Sequence, residues 1–266
     1  MNRFIAHFDI LGYKEFIVNN PIEYINDCND HIFRESQTAV SQDGAYIDVP
    51  GGIAPDVRTA EINCMHFSDT ILFWTNSATE QDFLKLVYVS HKFYWRCMQT
   101  TFAVRGAIGH GDFEFNPFQI RGHGDTRFFN SSLYGKALVD IYVKAENQDW
   151  AGCFIDDTAL NALDHENQKI VQEQTIYNLI YESIIVLYPV PQKEGNKEYK
   201  HCLRLMNGPL NNVAFRNGAL EIKRIFNQHM NGKPLPPSVI KKMHNTIEFL
   251  DYFRSDVPPR QNGAAG

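Results

Sequence analysis

The acid at position 9 constrains this chain more than any other residue. Arg3 to Asp9 is a short, strand-like apolar run, and it closes on Asp9, with Gly12 and a helix-like stretch following at once. A carboxylate between Phe8 and Ile10 is costly to desolvate unless it is paired, hydrogen-bonded or bound to a cation. A second acid, Asp69, lies in Phe67-Ser68-Asp69-Thr70-Ile71, between two β-like runs, Ala60 to His66 and Ile71 to Thr75. Taken singly, each acid has an ordinary use, Asp9 as a helix N-cap and Asp69 as a turn residue. Taken together, on a strand end and a hairpin tip, they are the raw material of a hard-cation site for a nucleoside triphosphate.

The order of elements follows from periodicity and turn residues. A strand to Asp9 leads to a helix over about 22–40, an irregular insertion over 41–55, and the hairpin around Asp69. Phe83, Leu86, Val87, Ser90, Phe93, Tyr94 and Cys97 recur at helical spacing within 79–101, and 102–111 returns to strand composition. This is β-α-β-β-α-β, the ferredoxin-like split unit of an α/β (α+β) fold. A polar glycine-containing loop at 121–127, a helix over 135–146 and a strand at 153–155 come next. A long helical region over 158–182, broken at Pro189 and Pro191, a strand over 201–206 and an amphipathic helix over 236–254 complete the chain. The domain reading is a catalytic domain over 1–210, a helical extension over 211–257 and a disordered tail over 258–266.

Composition excludes several classes. With 25 basic and 31 acidic residues the net charge is -6, which argues against a general nucleic-acid footprint. The five cysteines at 28, 64, 97, 153 and 202 form no CxxC pair, so they read as reduced core thiols rather than a zinc site or disulfide framework. No secretory segment opens the chain, and no apolar run approaches the ~18 residues of a membrane span. A soluble cytoplasmic protein with no nucleic-acid or membrane partner is expected. The ten histidines include no HExxH pair, and Gly122-His123-Gly124 lacks the ending of a phosphate-binding Walker loop.

Four segments in this order, FDILGY (8–13), FSDTI (67–71), VRGAIGHGD (104–112) and LYGKALVDIY (133–142), resemble the class III nucleotidyl cyclases, and more narrowly the bacterial Pycsar antiphage pyrimidine cyclases. The resemblance spans about residues 3–156. It implies that Asp9 and Asp69, with the backbone carbonyl of Ile10, hold two divalent cations, Mn²⁺ or Mg²⁺, per active site. It implies cyclisation by in-line attack of the ribose 3′-hydroxyl on the α-phosphorus, with pyrophosphate leaving. Gly12 gives the tight turn, and the amides from Leu11 through Tyr13 to Lys14 are expected to cradle the β- and γ-phosphates.

Purine cyclases of the family read the base at two positions that here carry Met65 and Ser132. Neither purine code is present, which favours UTP, with CTP as the alternative; Met65 as plain strand packing is the other reading of that residue. The positions of the family's transition-state Asn and Arg carry Val139 and Val143, and a one-residue helical offset would bring Lys144 toward the phosphates. Arg105 enters the core sheet and serves either the base and phosphates or a structural ion pair. The resemblance further implies a homodimer with sites at the interface. Its product, cyclic UMP, would be a second messenger for antiphage defence, acting on a separate cyclic-nucleotide-binding effector. A degenerate cyclase domain that binds nucleotide without catalysis is the remaining alternative.

Overall fold

The computed structural model describes residues 1–254 apart from 42, 43, 45, 51, 101, 125 and 164–168. The first half comprises β1 (Asn2–Ile10), α1 (Tyr13–Asn19), α2 (Ile22–Val40), β2 (Tyr46–Val49), β3 (Gly52–Pro55), β4 (Asn63–Phe67), β5 (Thr70–Trp74) and α3 (Glu80–Thr100). The middle holds β6 (Val104–Asp112), β7 (Glu114–Asn116), β8 (Gln119–Arg121), β9 (Arg127–Phe129), β10 (Ser132–Tyr134), α4 (Lys136–Asn147) and β11 (Cys153–Ile155). Last come α5 (Asp157–Asn161), α6 (Lys169–Tyr181), β12 (Ile185–Pro191), β13 (Lys197–Leu203), α7 (Asn212–Asn227) and α8 (Pro237–Asp251).

Seven strands form one mixed sheet in the order β12-β13-β11-β6-β1-β5-β4. Its β6-β1-β5-β4 part, all antiparallel, is the split β-α-β-β-α-β unit expected from the sequence. Only β11 joins parallel, against β6. The central strand β1 is apolar almost throughout because both of its faces are covered. Phe4, Ala6, Phe8 and Ile10 face α2 and α3, where Phe8, Phe73 and Phe93 meet with ring centroids 5.1 to 6.1 Å apart. Ile5, His7 and Asp9 face the other way.

That second face is covered only in part. Helix α4 lies over β1 and β6, and the approach requires glycine: a Cβ at Gly109 would stand 2.2 Å from Cδ1 of Ile141. Ile5, Leu72, Trp74, Phe113 and Ala137 form a small satellite core beneath it. Beyond them, toward β5 and β4, the face is open.

Several expectations change. The insertion over 41–55 contains a hairpin, β2 with β3, and the polar loop at 121–127 is the tip of another, β8 with β9. The helical region over 158–182 is two helices, with 164–168 outside the described residues. It ends at Tyr181, near Ser183 in the left-handed region at φ 62°, and not at the prolines. Pro189 and Pro191 lie inside β12, which tolerates them because it is the outer edge of the sheet. The following strand starts earlier than expected, at Lys197. Cys97, Cys153 and Cys202 are buried thiols, whereas Cys64 is exposed. Helices α7 and α8, from the 211–257 segment, place Ile222, Ile225, Phe249 and Leu250 in the main core, with Phe249 against Trp150 and Tyr188. The tail over 258–266 lies outside the described residues.

Candidate active site

The two acids meet at one end of the sheet. Antiparallel register sets Asp9 opposite Thr70 on one side and Arg105 on the other. The hairpin between β4 and β5 turns over Ser68 and Asp69, with Ser68 at φ 56° and the His66 ring bonded to the Ser68 carbonyl at 2.9 Å. The Ile10 amide then donates to the Asp69 carbonyl at 2.9 Å, which pins the tip of the hairpin to the end of β1. Gly12 follows with φ 78° and ψ 16°, a left-handed conformation that is nearly free for glycine and that turns the chain into α1.

Arg105 is the third member. Its Nε and Nη2 reach Asp9 Oδ2 at 2.9 and 2.8 Å. Its Nη1 donates to the carbonyls of Glu146 and Gln148 at 3.0 and 3.4 Å, and its Nη2 also pairs with the Glu146 carboxylate. Every nitrogen of the guanidinium therefore finds an oxygen, as a buried arginine requires. Burial pushes the Asp9 carboxyl above the ordinary carboxylate range, Arg105 opposes this, and the nearby charge of Asp69 raises it further. One arginine thus stands against two carboxylates at this end, with Glu146 drawing on the same guanidinium.

Among the described residues no cluster of three or more His, Cys, Asp or Glu side chains forms a ready-made metal site. Two mutually repelling carboxylates nonetheless suit a hard divalent cation that takes its remaining ligands from phosphates and water. The donor set fits Mg²⁺ or Mn²⁺ with a triphosphate, and it fits no metal that needs a full protein cage.

Met65 and Ser132, far apart in sequence, line one groove. Its volume is about 790 Å³, and His7, Thr70, Leu72, Phe129, Leu133, Leu138, Val139 and Tyr142 share the lining. The His7 ring meets Tyr142 edge-on at 5.5 Å. Burial, with the charge of Arg105, lowers the His7 pKa to about 4, so it is neutral near pH 7.

One expected phosphate contact, at Leu11, is taken up by the fold, and two other predicted residues carry structural side-chain bonds. The Leu11 amide donates to the Ala103 carbonyl at 2.9 Å, so it is taken up by the fold and unavailable for phosphate. The Tyr13 hydroxyl donates to Asn29 Oδ1 at 3.2 Å, tying α1 to α2. Lys144 bonds Asp156 Oδ1 at 2.8 Å, and Asp156 in turn caps α5 through the Thr158 amide. Two residues on, Glu146 points about 200° away around the helix and reaches Arg105. Within one chain Lys144 therefore does not join Asp9 and Asp69. Glu146, His7 and Tyr142 are absent from the sequence-derived set. The i, i+3, i+7 spacing of Val139, Tyr142 and Glu146, one face of α4, hints at the last two, and His7 shows in the sequence as a polar break in the apolar run of β1.

No family model and no curated protein matches the sequence. Solved structures do resemble it. The guanylate cyclase domain of RhGC from Catenaria anguillulae, in complex with GTP, covers 76% of this chain and 96% of its own length at 9% identity and a TM-score of 0.47. A dimeric guanylyl cyclase domain of the RhoGC fusion protein from the aquatic fungus Blastocladiella emersonii covers 76% and 95% at 8% identity and a TM-score of 0.49. The guanylyl cyclase Cya2 covers 76% and 90% at 13% identity and a TM-score of 0.44.

Proposed function

We propose that this protein is a nucleotidyl cyclase that converts a pyrimidine nucleoside triphosphate, UTP in preference to CTP, to its 3′,5′-cyclic monophosphate and pyrophosphate. The observation that carries the reading is the convergence of Asp9, Asp69 and Arg105 at one sheet end beside the left-handed Gly12. In the reaction the ribose 3′-oxygen forms a bond to the α-phosphorus, the bond to the bridging oxygen breaks, and the hydroxyl proton leaves to solvent. When bound, two divalent ions supply the acidity that activates the hydroxyl and the charge that balances the triphosphate. Asp9 and Asp69 hold that region by their carboxylates. Arg105 orients Asp9 and adds a fixed positive charge near the phosphates, and Gly12 lets the backbone of Tyr13 and Lys14 approach them.

The pyrimidine preference is supported by Met65 and Ser132 sharing one groove with no charged side chain in its lining. A homodimer is supported by the apolar surface around that groove. Phe67, Phe129 and Val139 are 77%, 66% and 60% exposed, a patch of a kind that monomers seldom present. The β8-β9 hairpin exposes Phe118, Ile120 and Phe128 as well, and a two-stranded ribbon is marginal by itself. In such a dimer Met65, Ser132 and Lys144 would act on the nucleotide held by the partner's acids. A cytoplasmic enzyme whose cyclic product signals to an antiphage effector is the biological setting this reading favours.

A second reading is a cyclase domain that binds nucleotide without turning it over. Val139 in the groove lining and Lys144 held by Asp156 favour it, because neither position then offers a free cation to the transition state. Incubating the pure protein with UTP, CTP, ATP and GTP together, with Mn²⁺ or Mg²⁺, and identifying products by mass spectrometry separates the two. Cyclic UMP or cyclic CMP is expected as the dominant product. Cyclic AMP or GMP in its place contradicts the pyrimidine assignment, and nucleotide binding without product supports the second reading.

A further inference from the structure

Helix α1 spans seven residues and buries one side chain, Phe16. A helix that short does not hold itself in water, so its place is set by what packs against it. The Phe16 amide donates to the Gly12 carbonyl at 2.9 Å, which ties the helix to the turn that follows Asp9. The Phe16 ring meets Phe102 at 5.0 Å, His229 at 5.1 Å and Tyr24 at 6.3 Å.

His229 comes from the other end of the chain, in the turn between α7 and α8. That turn folds back through Asn231 and Gly232, both in the left-handed region, and closes on α1. The His229 ring is 8% exposed and stacks on Phe102 at 3.9 Å and 21°. Both its nitrogens are engaged, Nδ1 with the Tyr24 hydroxyl at 3.2 Å and Nε2 with the Gln228 amide at 2.9 Å. Asn20 Nδ2 donates to the carbonyls of Phe16 and His229, each at 2.8 Å. Asn231 Nδ2 and Lys233 Nζ hold the carbonyl and Oδ1 of Asn19 at 2.8 and 2.6 Å. Gly12, Met230, Leu235 and Val239 line the same contact, with only about 20 Å³ left between them.

Filling space does not by itself account for a histidine here. A phenyl ring would also stack on Phe102 and would bring no polar atoms into a buried place. Stacking together with a hydrogen bond at each nitrogen fixes the orientation of the ring, and with it both supports of the turn. One support is Phe16, bonded to Gly12; the other is Phe102, whose neighbour Ala103 accepts from the Leu11 amide. We propose that His229 is a positioning residue for the cyclisation: acting through Phe16 and Phe102, it fixes the turn at Leu11 and Gly12 beside Asp9, where the triphosphate lies, and so makes the C-terminal helices part of the working enzyme. This rests on the cyclase reading above and extends it to a residue that touches no nucleotide.

KM and kcat for the preferred nucleotide, inhibition by pyrophosphate, and thermal unfolding of the wild type, His229→Ala and Leu250→Ala test this. Leu250 packs against Gly218 in the same pair of helices and serves as the control for lost stability. Below all three melting temperatures, His229→Ala is expected to raise KM and the pyrophosphate inhibition constant about tenfold, with a smaller change in kcat, since small displacements at a site cost that much or more. Leu250→Ala is expected to melt earlier with both constants near those of the wild type. A His229→Ala protein that keeps both constants, or a Leu250→Ala protein that raises them as much, overturns the proposal and leaves the cyclase reading standing. A wild type that converts none of UTP, CTP, ATP and GTP overturns both. Where His229→Ala does not fold, Tyr24→Phe decides: it removes the bond to Nδ1 at nearly constant volume, and unchanged constants there overturn the proposal.

Discussion

The two faces of the central sheet are built from alternate residues of the same strands, yet they do different work. On the face covered by α2 and α3, Phe4, Phe8 and Phe73 interlock with Phe83 and Phe93. The opposite face carries His7 and Asp9 on β1, Thr70 on β5 and Arg105 on β6, and its outer half is left uncovered. A stable domain needs only the first arrangement. The second keeps buried and half-buried polar groups in a row, which is costly unless they act on something. Stability and chemistry are therefore separated by the pleat, one residue apart along β1.

Substitutions on the two faces should then fail in different ways. The largest effect on stability is expected from Phe93→Ala, which removes a ring packed against both Phe8 and Phe73. A loss of about 3–5 kcal/mol is expected in urea unfolding. A loss under about 1 kcal/mol would mean that the aromatic cluster does not hold the sheet to its helices.

Arg105→Ala comes next and touches both properties, because it leaves the Asp9 and Glu146 carboxylates without their shared cation. Roughly 3 kcal/mol of stability should be lost at neutral pH, and acidification should return part of it as Asp9 becomes protonated. The sign follows from Asp9 itself: burial, with Asp69 beside it, already raises its pKa, and loss of Arg105 removes the main opposing influence. Urea midpoints at pH 5 and pH 8 measure this. A variant equally destabilised at both would show that Arg105 acts by packing alone.

A smaller effect is expected at Lys144. Burial favours the protonated form of Asp156, but the hydrogen bonds and charge of Lys144 and Thr158 outweigh it and hold the carboxyl below its ordinary value. A depressed folded-state pKa contributes stability above the unfolded value near 4, and that contribution disappears as the pH falls through the folded value. Lys144→Ala should cost about 1 kcal/mol or less at pH 7, since the lysine is 39% exposed on its side chain, and almost nothing at pH 2. If Lys144 also serves the partner's site, turnover will fall by far more than stability does.

The smallest change in stability, with a clear change in assembly, is expected from Phe129→Ser on the β8-β9 hairpin. Sedimentation should show a shift from dimer toward monomer with an almost unchanged unfolding curve. A wild type that is already monomeric at every concentration would leave the exposed face without the partner argued for it.

These contrasts also separate what the sequence made legible from what it did not. β1, the hairpin around Asp69, α3, α4 and β11 announce themselves by local periodicity, glycine and turn residues, and each lies within a few residues of its expected bounds. Asp9 and Asp69 stand out for the same local reason, as acids set in apolar runs. The Arg105 contacts are different, because they depend on register between β1 and β6 and on the last turn of α4, which no local pattern encodes. His7 was hidden in the same way: within Phe4 to Ile10 it reads as one polar break in a buried strand, and its place in one groove with Met65 and Ser132 depends on pairing between strands. The exposed hairpins were missed because their pairing lacks the alternation that burial imposes. Two prolines in β12 concealed a strand whose outer edge needs no donors.

The most direct measurement is cyclic nucleotide production from UTP, with and without Mn²⁺, by the wild type, Asp9→Ala and Asp69→Ala, with thermal unfolding of each. The account predicts metal-dependent cyclic UMP or, with CTP, cyclic CMP from the wild type alone, and a cooperative melt for all three proteins. Near-wild-type turnover by either variant, or product formed equally well in excess chelator, would contradict the placement of the reaction at Asp9 and Asp69.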